Sequence, residues 1–185
     1  WIQHGDFTTA FSLDVASAGG ETWVAGGNGL LRHDGTSWSP WMLDEPTRFV
    51  RGVWMASATD GWAVGEVGRM LHWDGQAWTD VPNLTNATLH DVWGSSPWNV
   101  WAVGDDGTLL HYDGFTWTRT RIGPGELRSI HGNGPDDVWV VGENGYAAHY
   151  DGLRWTPAPT GSTHDLNRVM GEGSTVWIVG DGGTV

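Results

Sequence analysis

His72, His111 and His149 fall at intervals of 39 and 38 residues, and Arg32 stands where a fourth histidine would fall. Imidazole is a good zinc ligand, but ligands to one ion must converge on it at ~2 Å. Residues a whole repeat apart belong to separate structural units. These histidines are therefore expected to make hydrogen bonds or to face the surface, and they imply no metal. The acidic turns "GDDGT" from Gly104 and "GDGGT" from Gly180 offer too few oxygens for calcium, which needs about 6–8. Asp is expected there for its tolerance of turn backbone. No cofactor is implied.

Positions that vary inside an otherwise regular repeat are better candidates. The second residue of each first strand reads Asp14, Arg51, His90, Arg128 and Asn167. A repeat needs no such mixture for folding. If these strands line a channel, the five side chains ring its entrance and could accept an anionic or polyhydroxylated ligand. Three tryptophans also depart from the repeat: Trp41, Trp73 and Trp98, the last in a turn with no evident core duty. Exposed indole rings stack on sugars or anchor protein partners. Trp41, Trp98, Arg51, His90, Arg128, Asn167 and Asp14 are thus the expected ligand-binding set. No nucleophile elbow, metal-hydrolase string or phosphate loop is present, and no catalytic residue is expected.

The elements that must carry these residues follow from the repeat. Trp23, Trp62, Trp101, Trp139 and Trp177 are spaced by 39, 39, 38 and 38 residues, each opening a W-x-V-G string or its W-V-A-G variant. The segment "LHDVWGSSPWNVWAVGDDGTLLHYDGFTWTRT" from Leu89 is the clearest copy, echoed from Val50 and from Leu127. Each copy divides into four short strands bounded by Gly and Asp, the pattern of an antiparallel meander. One such sheet cannot bury both faces, whereas radial stacking lets each copy cover the next. The expected fold is an all-β propeller of four-stranded blades. Outward the blades diverge, so the second-strand tryptophans, and Trp38, Trp78, Trp117 and Trp155 after the "DG" turns, fill the widening gaps. Each such burial contributes about 2–3 kcal/mol.

Counting through the ends gives a five-bladed ring. It makes one domain over 1–185, with blades at about 13–49, 50–88, 89–126, 127–165, and 166–185 joined to 1–12. The seam falls inside a third strand, where "GTV" followed by "WIQHG" parallels "GTL" followed by "LHYDG". Gly5 then matches Gly114, and Phe7 matches Trp117. A monomer is expected if the ring closes this way. The rival is an array that continues in a longer protein, or copies that join into a larger ring.

Composition bounds the partners. With 9 basic against 22 acidic residues the net charge is −13, which argues against nucleic acid and anionic membranes. No apolar run is long enough for a membrane-spanning helix. Cys is absent, so disulfides and thiolate zinc sites play no part. The chain starts at Trp1 without a leader, and a mature or excised segment is expected. All nine basic residues are Arg, which fits a bacterial gene of high GC content. The sequons at Asn83 and Asn86 matter only in a glycosylating pathway.

The string "VWGSSPWNVWAVGDDGTLLHYDG" resembles WD40-type repeats in turn order, without their closing Trp-Asp pair. The strings "RHDGTSW", "HWDGQAW", "HYDGFTW" and "HYDGLRW" resemble shortened Asp-boxes of BNR and sialidase-like propellers. The whole repeat is most similar to Trp-rich propeller repeats of bacterial surface or exported proteins. Its blade number and size are similar to those of tachylectin-type lectins. The resemblance implies that Asp34, Asp74, Asp113 and Asp151 support turns, and that the chain is extracellular, surface-bound or periplasmic. Sialidase-like propellers use a Tyr nucleophile at the channel mouth. Tyr112, Tyr146 and Tyr150 lie in or beside third strands instead, which disfavours a glycoside hydrolase. The expected function is a non-catalytic ligand-binding propeller, lectin-like in its glycan version. The alternative is a protein-interaction or scaffold module of a larger surface protein. Repeated sites between blades would favour the lectin, and one asymmetric patch the scaffold.

Overall fold

The computed structural model describes residues 12–27, 29–41, 49–173 and 175–185. Its strands form antiparallel meanders in chain order. The first blade holds β1 (Ser12–Ala18), β2 (Glu21–Gly26), β3 (Gly29–His33) and β4 (Trp38–Trp41). The second holds β5 (Val50–Ser57), β6 (Asp60–Gly65), β7 (Met70–Trp73) and β8 (Trp78–Asp80). The third holds β9 (Leu89–Ser96), β10 (Asn99–Gly104), β11 (Thr108–Tyr112) and β12 (Trp117–Arg121). The fourth holds β13 (Leu127–Gly134), β14 (Asp137–Gly142), β15 (Ala147–Tyr150) and β16 (Trp155–Pro157). A fifth sheet has two strands among the described residues, β17 (Leu166–Glu172) and β18 (Thr175–Gly180). No described helix is long and apolar enough to cross a membrane.

The first strands β1, β5, β9, β13 and β17 stack side by side in that order. Their residues Val53, Val92, Ile130 and Val169 are buried between blades. The tryptophan of a second strand then enters a socket made by the next blade. Trp23 meets Trp73 and Trp78, Trp62 meets Tyr112 and Trp117, and Trp101 meets Tyr150 and Trp155. Aromatic rings thus fill the gap between blades, as the repeat implies.

The recurring histidines share one structural task. Each ring lies against its own blade's second-strand tryptophan: His72 on Trp62, His111 on Trp101 and His149 on Trp139. Each Nε2 faces a polar partner at the start of the second strand: Asp60 at 3.7 Å, Asn99 at 2.8 Å and Asp137 at 2.8 Å. Arg32 does the same, with its guanidinium over Trp23 and an ion pair to Glu21. The "DG" aspartates support turns. Asp113 Oδ1 accepts the N–H groups of Phe115 and Thr116, and Asp34, Asp74 and Asp151 repeat this. These backbone hydrogen bonds hold all four carboxyls below their usual range.

The seam expected at Gly5 and Phe7 lies outside the described residues. Within them, β17 and β1 do not stack as the other first strands do.

Candidate functional site

The first strand of every blade carries a one-residue bulge. The ladder skips Leu13, Arg51, His90, Arg128 and Asn167, pairing the residues on either side of each. A bulged residue leaves the regular alternation of the strand, and its side chain is re-aimed. Chemistry can therefore vary there without disturbing the fold. The register also corrects one assignment. Leu13, not Asp14, is the equivalent of Arg51, and Asp14 belongs one position further with Gly52, Asp91, Ser129 and Arg168. Leu13 imitates the Leu89 and Leu127 that open other first strands, a place that Ser12 occupies here.

Leu13, Arg51, His90 and Arg128 gather with Glu126 and Arg168 around a cavity of about 210 Å³ at one end of the channel. The polar side chains of the expected ring have acidic partners here. Arg51 pairs with Glu66 at 3.0 Å, and His90 Nε2 lies 2.7 Å from Asp105 and 3.2 Å from Glu126. Arg128 reaches Asp165 at 2.8 Å and Glu126 at 3.4 Å, and donates to Asn167, which in turn donates to Asp181 at 2.6 Å. The acids Glu66, Asp105 and Asp181 each open the tight turn after a second strand. Their backbone N–H groups are fixed on the carbonyls of Phe49, Thr88 and Asp165. Arg51, Arg128 and Arg168 thus arrive at this mouth already paired with carboxylates, and a free anion would have to displace one. Ligand atoms of His90, Asp105 and Glu126 lie within 4.8 Å of one another. His90 holds the position of Arg51 and Arg128 on neighbouring blades, so pairing with acids accounts for the cluster.

One position further, a charged plug divides the channel. Arg168 donates to Asp14 at 3.0 Å and lies 3.7 Å from Asp91. Asp14 accepts the Val53 N–H at 2.9 Å, while Asp91 accepts from Ser129 Oγ at 2.9 Å and the Ile130 N–H at 3.1 Å. Ser129 Oγ then receives the Val169 N–H. Asp14, Asp91 and Ser129 thus each bind the backbone of the next blade. Burial pushes the Asp91 carboxyl up to about 6, opposed by the Arg168 charge. Asp91 holds the Arg168 guanidinium above its ordinary value.

Beyond the plug the first strands enclose a cavity of about 310 Å³. Trp54, Trp93, His131, Met170 and Ala16 occupy one repeat position on its wall. Trp54 lies over Gly94 and Trp93 over Gly132, where a Cβ would meet each ring at 2.7 and 2.5 Å. The two indoles are thereby stepped around the hub, half-buried, with His131 5.9 Å beyond Trp93. Burial lowers the His131 pKa. This wall was missed in the sequence, although its signal was the same as for the bulge: one repeat position filled by five dissimilar residues.

The tryptophans outside the repeat separate. Trp41, partly buried, packs against Trp23 and Trp73. Trp73 is buried and donates to the Ala58 carbonyl. Trp98 is 68% exposed beside Asp113, Asp136 and Tyr150 at a cavity of about 230 Å³. The equivalent turn positions carry Thr59 and Asp136, each facing the "DG" glycine of its own blade as Trp98 does. The indole is therefore not repeated. Tyr112 and Tyr150 donate their hydroxyls to the Gly114 and Gly152 carbonyls.

No protein-family model matches the chain, and no curated protein matches it. Solved structures do. YCF48 bound to D1 peptide superposes with a TM-score of 0.73 at 21% identity, over 98% of this chain and 63% of that one. YCF48 from Cyanidioschyzon merolae gives 0.73 at 16% identity over 99% and 68%. The WD40 repeats of RRP9 give 0.67 at 12% identity over 85% and 55%. The chain thus spans less than two thirds of the first of these proteins, and its fold is that of their β-propellers.

Proposed function

We propose that this chain is a non-catalytic protein-interaction propeller whose channel receives a peptide segment of a partner. The observation that carries the reading is the asymmetric hub cavity walled by Trp54, Trp93, His131 and Met170 beside the Asp14–Arg168–Asp91 plug. Aromatic and thioether side chains offer adaptable apolar contact, and the plug offers polar groups to a peptide backbone. The volume suits a few side chains rather than a folded domain. A similar fold, YCF48, is known bound to a peptide. The acidic surface favours a segment of net positive charge. Engaged tyrosine hydroxyls and paired acids support a binding role over hydrolysis.

Selection from a displayed random-peptide library tests this. Binders are expected to lose about thirtyfold in affinity with His131→Ala or Trp93→Ala, as hot-spot truncations do, and to ignore Trp98→Ala. Thermal melts of each variant separate lost contacts from lost fold. Trp98 supports the second reading, a glycan stacked on one exposed indole beside carboxylates. A glycan array with binding abolished by Trp98→Ala, and no peptide binders, would replace the first reading with the second.

A further inference from the structure

Alternate residues of a strand share a face, so the hub is built in two tiers. The plug tier holds Asp14, Gly52, Asp91, Ser129 and Arg168, and the wall tier holds Ala16, Trp54, Trp93, His131 and Met170. On β9 the tiers bring the Asp91 carboxylate and the Trp93 indole to one face, from positions about 7 Å apart along the strand. The charges of this volume do not balance. Two carboxylates, Asp14 and Asp91, share the Arg168 guanidinium at 3.0 and 3.7 Å. These three are the charged side chains among the described lining at pH 7. Burial lowers the His131 pKa and keeps that ring neutral, while Asp91, although raised to about 6, is ionised. One negative charge is thus in excess, on carboxylates whose side chains are 8% and 7% exposed. A charge withdrawn from water gains more from a counter-charge than one on the surface. The adjoining wall carries Trp54 and Trp93, and indole is the aromatic ring that best holds a cation.

We propose that this cavity selects a basic side chain of the bound peptide, its stem along Trp93 and Trp54 and its charged head against Asp91 and Asp14. The inference rests on the channel as a peptide site and adds which residue that site reads. Long basic side chains lay their methylene stems on apolar surface while the head stays with polar groups, and the two tiers offer both. An apolar side chain would fill the wall and strip water from the excess charge without replacing it. An acidic one would set a third carboxylate against a single guanidinium. The net charge of −13 draws any basic segment from a distance, but that attraction is screened by salt. A seated cation is a contact and survives in salt.

The test begins with peptides selected from a displayed random library, which are expected to share one Arg or Lys position. A selected Arg peptide is then remade with citrulline at that position, which keeps the shape and removes the charge. Calorimetry is expected to show at least a tenfold loss of affinity, in 1 M NaCl, where the Debye length is about 3 Å, as well as at low salt. Asp91→Asn should weaken the Arg peptide about tenfold and the citrulline peptide less than twofold. Asp14→Asn is expected to give the same pattern, and thermal melts show which variants are folded for the comparison. Binders without a shared basic residue, or a citrulline peptide as tight as its parent, overturn the inference and leave the peptide reading standing. So does a charge preference that vanishes in 1 M NaCl, or equal weakening of both peptides by the two substitutions. A library that returns no binder overturns both readings.

Discussion

At the scale of single residues, strain and charge are concentrated at a few positions. Val67 sits at φ +54° in the tight turn after β6, where Asp106 and Asn144 hold the same place after β10 and β14. A β-branched residue tolerates this left-handed backbone poorly, while Asn does so readily. Val67→Asn is expected to stabilise the fold by about 1 kcal/mol in urea melts. Asp91 gives a pH signature. Its folded pKa is raised to about 6, so between its unfolded value and that pH the native state binds more protons and stability falls as pH rises. Relative to Asp91→Asn, the parent chain should lose melting temperature between about pH 4 and pH 6 and hold a constant difference above that range. A difference that widens in the opposite direction would contradict the buried setting.

The blade is the next scale, and glycine carries part of its packing. Gly94 and Gly132 are the floor on which Trp54 and Trp93 lie. Gly132→Ala pushes a methyl group into the Trp93 ring and is expected to cost about 1–3 kcal/mol. It should also reduce peptide affinity, because Trp93 must rotate into the cavity; an unchanged melt and unchanged affinity would refute the stepped arrangement. The socket tryptophans make a sharper contrast. Trp101→Ala should cost about 3–5 kcal/mol by leaving a cavity between Tyr150 and Trp155. Trp177→Ala, on a bare face, should cost far less, and denaturant titration of the two variants reads the difference directly.

Across the whole molecule, the first strands do two jobs that pull on different residues. Val53, Val92, Ile130 and Val169 weld neighbouring blades, while bulge and wall positions on the same strands face the channel. At the hub all five described sheets contribute side chains to one volume. Among the described residues, the outer rim carries Phe115 and Leu153 exposed at the tips of equivalent turns, and Trp98 exposed at a turn whose counterparts hold Thr59 and Asp136.

The sequence by itself determined the strand order within the repeats and the roles of the regular residues. A period of 38 or 39 residues and alternation within each strand admit few other folds, and repetition identified which Trp, His and Asp serve the repeat. It also pointed to Arg51, His90, Arg128 and Asn167 as neighbours, since a shared repeat position on adjacent blades becomes a shared ring. The one-residue bulge escaped notice because it moves a side chain without changing the count, and so Asp14 was placed one step out of register. Only the tertiary structure decided that the ring of cations is neutralised. Its carboxylates come from the turn after the second strand, and from just before the first strands of neighbouring blades.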